Sequence, residues 1–109
     1  MVEDTVLDRT YAALADPTRR TIVVRLGEGS ARIGDLAKPL PMTFAAVSRH
    51  VSVLESAGLV SRNVRGREHW LSLRPEGFAF AEQWLREQRD FWSALADALA
   101  RRLEERETT

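Results

Sequence analysis

Apolar positions recur at helical spacing in five stretches of this chain and at strand spacing in one. Val6, Leu7, Tyr11 and Leu14 fall three to four residues apart and predict a helix from about Asp4 to Leu14. Ile22, Val23 and Leu26 continue the pattern behind Asp16-Pro17. Asp caps a helix by accepting from its free N–H groups, and Pro sits in the first turn without losing a hydrogen bond. This second helix is expected from Pro17 to about Gly27. Ile33, Leu36 and Ala37 mark a short third helix, capped by Ser30 and stopped by Pro39 and Pro41. Thr43 caps a fourth helix with Val47, Val51 and Leu54 on its buried stripe and Ala57-Gly58 as its stop. Two short strands, Leu59 to Val64 and Glu68 to Leu73, flank Arg65-Gly66-Arg67. Pro75 opens a last helix expected to reach about Glu105, with Arg106 to Thr109 as a frayed tail.

These elements make a mainly α fold with a small β-hairpin: about five helices and a two-stranded wing, in one domain spanning residues 1–109. Residues 30–58 read as a helix-turn-helix and 59–74 as the wing, together a winged helix-turn-helix. On the fourth helix the buried stripe points Ala45, Arg49 and Ser52 outward. A short helix carrying Arg and hydroxyl groups on its free face suits the major groove of DNA, which an α-helix just fills. Arg65 and Arg67, around a glycine at a hairpin tip, are placed to reach phosphate. The last helix carries Phe78, Ala81, Leu85, Trp92, Leu95 and Leu99 on one stripe, widened by Trp84, Phe91 and Ala98. That is more apolar surface than a small domain absorbs. It predicts a homodimer held by helices 1–15 and 75–105, with Val6, Leu7, Tyr11, Trp84, Phe91, Trp92, Leu95 and Leu99 at the interface.

Composition sharpens the picture. A hydrophobic share of 44% with 29% charged residues excludes disorder. The absence of cysteine excludes a disulfide framework, a thiolate zinc site and a redox thiol. No apolar run approaches the ~20 residues of a membrane span and the acidic start lacks a signal-peptide core, so the expected location is cytoplasmic, away from membranes. The formal net charge is zero, with 16 basic and 16 acidic residues, but it is unevenly divided. Residues 1–29 hold four basic and five acidic side chains, 30–74 seven and three, and 75–109 five and eight, giving −1, +4 and −3. The positive excess lies where the DNA-reading motif lies. Exposed charges are screened beyond about 8–10 Å, so the local sign governs.

With these residues set out, the chain resembles the ArsR family of small dimeric winged-helix repressors. The resemblance rests on Ala15-Asp16-Pro17-Thr18-Arg19-Arg20, Asp35-Leu36-Ala37, Met42-Thr43, Val47-Ser48-Arg49-His50-Val51 and Leu54-Glu55-Ser56-Ala57-Gly58-Leu59-Val60. Arg65-Gly66-Arg67 and Trp70-Leu71-Ser72-Leu73 complete it. It runs from about residue 8 to 100, in order and at the right spacings. It implies a dimer joined through its first and last helices, with two recognition helices in successive major grooves of a pseudo-palindromic duplex. It places Thr43, Phe44, Ala45, Ser48 and Arg49 at positions that touch DNA. For Phe44 the two readings diverge: helical phase sets it near the buried stripe, whereas the family pattern exposes it, where it would meet thymine methyl groups. Metal-sensing members carry Cys-x-Cys where this chain has Arg32 and Gly34, and residues 75–109 contain no histidine. The resemblance is therefore to a branch without the metal site; no metal and no cofactor is expected.

Several residues carry a plain structural reading beside the functional one. His50 joins the DNA-contact candidates but lies beside the buried stripe, where an internal hydrogen bond accounts for it. His69 is read as structural and Trp70 as cover for the core beneath the wing. Arg19 and Arg20 start a helix, where positive charge is unfavourable; pairing inside the domain accounts for them better than phosphate. No Gly-rich phosphate loop and no acid–base pair is present, so no enzyme is expected. An unidentified small-molecule inducer would find space among the interface aromatics. The alternative function is a winged-helix protein-interaction module that does not read DNA, suggested by the neutral total charge and apolar Ala45, Ala46 and Val53.

Overall fold

A computed structural model describes residues 2–108, with side chains from Thr5 onward. Helix α1 (Val2–Leu14) leads into α2 (Pro17–Gly27), a two-residue strand β1 (Ala31–Arg32), and the short α3 (Ile33–Ala37). Helix α4 (Phe44–Ser56) follows, then the hairpin β2 (Val60–Arg65) and β3 (Glu68–Leu73). A single 3₁₀ turn over Pro75–Phe78 precedes α5 (Ala79–Thr108).

The caps are those the sequence encodes. Asp16 Oδ2 accepts from the Arg19 amide at 3.0 Å with Pro17 in the first turn of α2, and Thr43 Oγ1 accepts from the Ala46 amide at 3.1 Å. At the other end of α4 the Leu59 amide donates to Leu54 O and the Gly58 amide to Glu55 O. Gly58, at φ +77°, supplies the left-handed residue this closure needs. Leu54 and Leu59, both fully buried, pack the closure from inside.

Three expectations are corrected. Ser30 does not cap α3: its Oγ lies 2.6 Å from Ser72 Oγ, and Arg32 occupies the cap position without a side-chain capping bond. The residues between pair instead with the free edge of β3 (Ala31 with Leu71, Arg32 with Trp70), so the wing is a three-stranded antiparallel sheet with β3 central. The last helix continues through Thr108, whose Oγ1 donates to the carbonyls of Glu104 and Glu105, while Thr109 lies outside the described residues.

One core unites the helices and sheet: Ile22 and Leu26 of α2, Ile33 and Leu36 of α3, Val47, Val51 and Leu54 of α4, and Leu59, Val60 and Leu71. Val47, Val51 and Leu54 have no exposed surface, which fixes the rotation of α4 and so the face it turns outward. Helix α5 behaves differently. Ala81 is its one buried residue, and its body contacts are to α1 and the preceding turn. The radius of gyration is 20.1 Å, against about 13 Å for a compact chain of this length. Most of α5 extends away from the body.

Candidate nucleic-acid interface

Helix α4 presents Phe44, Ala45, Arg49, Ser52, Val53 and Ser56 to solvent, with Ser48 half-buried at the flank. Phe44 is 55% exposed, which settles its two readings in favour of the outward one. Its place in the first turn explains this: no preceding turn of helix covers it. Phe44 also lines a cleft of about 420 Å³ shared with Gly34, Asp35 and Lys38 on one side and Arg67 and His69 of the wing on the other. The recognition-helix start and the wing thus border one concavity.

At the wing tip, Arg65 pairs with Glu68 across a two-residue loop, Gly66-Arg67. Gly66 takes φ +63°, a conformation a side chain resists, and this keeps the loop to two residues. The Arg65 guanidinium sits 5.4 Å from the Trp70 ring centre and Arg32 sits 5.8 Å from it. Cation–ring contact helps hold both in place.

Ion pairing separates structural cations from available ones. Arg62 donates to Glu55 at 2.6 Å and meets His69 Nδ1 at 2.9 Å. Arg32 bridges Asp35 and Glu68 at 3.1 and 2.9 Å, Lys38 reaches Asp35 at 3.3 Å, and Arg74 pairs with Glu76. The Arg32 and Lys38 side chains hold the Asp35 carboxyl below the usual carboxylate range. Every acid between residues 30 and 74 is therefore consumed. Among the described residues of that segment, Arg49, Arg65 and Arg67 have no acidic partner. Arg32, at the first position of the family's Cys-x-Cys, is an ion-paired strut.

His50 turns toward α2, not outward. Arg19 Nη1 donates to its Nδ1 at 3.1 Å, and Asp16 Oδ2 lies 3.8 Å away. The Arg19 amide hydrogen bond holds Asp16 below the usual carboxylate range, with the Arg19 charge adding to it. Arg19 also donates through Nε to Ala13 O at 2.7 Å and through Nη2 to Ala12 O at 3.0 Å, and Arg20 donates to Leu14 O at 2.7 Å. Both arginines thus close the carbonyl end of α1, where positive charge is favourable, which outweighs their cost at the start of α2. Sequence reading anticipated internal roles for both; that α1 is their partner needed the chain's three-dimensional path.

Of the residues expected between subunits, Leu7 is already buried in its own protomer and packs within it. Val6 and Tyr11 of α1 are partly exposed, with Tyr11 edge-on to Trp84 at 6.3 Å between ring centres. Beyond them, Leu95 and Leu99 are open to solvent, and Phe91 and Trp92, edge-on to one another, are 60% and 62% exposed. No helix among the described residues is long and apolar enough to cross a membrane.

Comparison with known proteins agrees with this architecture. The sequence profile of the bacterial regulatory protein, arsR family, matches residues 16–62, from the α2 cap into the wing. The HTH-type transcriptional regulator Rv2034 of Mycobacterium tuberculosis is 46% identical over 72 residues, which are 66% of this chain and 67% of the relative. The transcriptional repressor SdpR of Bacillus subtilis is 27% identical over 79 residues, 72% of this chain and 88% of the relative. The crystal structure of the ArsR family transcriptional regulator RHA00566 superposes with a TM-score of 0.79 at 36% identity, covering 83% of this chain and 93% of that one. Profile, sequence and fold together establish that the chain belongs to the arsR family of bacterial regulatory proteins.

Proposed function

We propose that this protein is a homodimeric transcriptional repressor that reads a pseudo-palindromic duplex with α4 and grips its backbone with the wing. One observation carries the reading. The guanidiniums of 30–74 left without an acid are Arg49 on the outward face of α4 and Arg65 and Arg67 at the wing tip. Phosphate contacts supply affinity and base-edge contacts supply sequence choice. Thr43, Phe44, Ala45, Ser48, Arg49 and Ser52 form the reading surface. His50, tied to Arg19, orients the helix from behind.

The test is fluorescence anisotropy with duplex from upstream of the gene and with random duplex, across several salt concentrations. A specific regulator prefers its site by about a thousandfold or more. Arg49→Ala removes a contact to a base edge of about 1–3 kcal/mol and flattens that preference. Arg67→Ala weakens both duplexes equally and lowers the salt dependence. The exposed Phe44, Ala45 and Val53 favour a second reading, a surface for a protein partner. Absence of DNA binding at every salt concentration selects that one.

A further inference from the structure

Resting on that reading, we infer that Arg9 of helix α1 is a third backbone anchor, outside both recognition helix and wing, which grips DNA phosphate at the edge of the groove that α4 enters. Four arginines lie on α1 and α2. Arg19, Arg20 and Arg25 are spent on backbone carbonyls, whereas Arg9 is exposed and makes no hydrogen bond or ion pair among the described residues. It lines a cleft of about 370 Å³ between α1 and α4, with Ala12 on its own helix and Arg49, Ser52, Val53 and Ser56 opposite. Two arginines and two serines thus border the cleft, and no acidic residue does. Like charges sharing a concave, largely apolar surface repel each other and attract an anion.

Position selects the anion. Ser52 and Ser56 continue the outward row of Arg49 toward the end of α4. A helix with its side chains is about 10–12 Å across and the major groove is about 12 Å wide, so the flanks of a seated helix lie against the two phosphate backbones. An arginine beside the later turns of α4 therefore meets phosphate and not bases.

Anisotropy titrations of Arg9→Gln against operator and random duplex test this. Loss of one phosphate contact per protomer, two per dimer, makes the log–log salt slope shallower by about 1.8, about thirtyfold in affinity near 0.15 M salt, equally on both duplexes. Arg9→Lys retains the slope because the charge stays. Circular dichroism of Arg9→Gln should match wild type, since the side chain supports nothing. An unchanged slope, or a loss confined to the operator, overturns the anchor. If Arg67→Ala lowers the slope while Arg9→Gln does not, only the anchor falls. If the wild-type protein shows no salt-dependent binding, the regulator reading falls with it.

Discussion

Replacing Gly77 with alanine tests how tightly the turn before α5 is seated on the end of the recognition helix. A Cβ built on Gly77 overlaps the carbonyl oxygen of Gly58 and comes within 2.9 Å of its carbon and 3.3 Å of Leu59 Cα. All three are backbone atoms of the α4 closure, so no side-chain rotation relieves the contact. Gly58 must keep its left-handed conformation, Leu59 is fully buried, and Leu59 O receives the Arg74 amide at 2.8 Å. Overpacking of this kind costs about 1–3 kcal/mol, and a rigid neighbour puts it in the upper half of that range. At about 2 kcal/mol and about 4–8 °C per kcal/mol, melting should fall by about 8–16 °C. The control is Gly34→Ala in α3, where an added Cβ meets nothing within 4 Å. There the helix preference for alanine, about 0.5–1 kcal/mol, should raise melting by about 2–8 °C. Circular dichroism melts at one fixed protein concentration measure both, since a dimer's melting depends on concentration. If Gly77→Ala melts with the wild type, the close approach of this turn to Gly58 is wrong.

Two further outcomes follow from the geometry. Trp92→Ala removes two exposed indoles per dimer; at about 1.5–3 kcal/mol each, dimerisation should weaken about a hundredfold or more in sedimentation equilibrium. An unchanged dimer would place the interface elsewhere. Because the carboxyl of Asp16 is held below its ordinary range when folded, it stabilises at pH above the unfolded value and loses that effect as pH falls through the folded one. Asp16→Asn should therefore trail wild type in urea midpoint at neutral pH, with the gap closing in acid below about pH 4. A gap constant across pH would assign the difference to something other than charge.

Local chemistry made most of the fold legible. Asp16-Pro17, Thr43 and Ala57-Gly58 mark helix ends because each satisfies backbone groups within a few residues, and the Val47–Val51–Leu54 stripe sets the outward face of α4. What escaped was long-range. Ala31-Arg32 is too short to show alternation, and it becomes a strand because β3 offers an unpaired edge. The hold of Arg19 on α1 spans six and seven residues through space and has no periodic signature. At the candidate site, Phe44 lay at a phase boundary that only the open first turn of α4 resolves. Leu7 shares the spacing of its exposed neighbours, and periodicity cannot tell which partner buries it.

Arg19 has a consequence for how the two activities of such a protein depend on each other. Its guanidinium holds the last carbonyls of α1 with one set of donors and the imidazole of the recognition helix with another. In the proposed homodimer, self-association through α1 and docking of α4 on a duplex would be two binding equilibria that share a strut. Whatever ordering one contributes to that strut, the other need not supply. Linkage makes the effect reciprocal: a duplex that steadies α4 tightens the pairing of protomers by the same factor by which pairing tightens the duplex. Removing Arg19 would weaken that coupling.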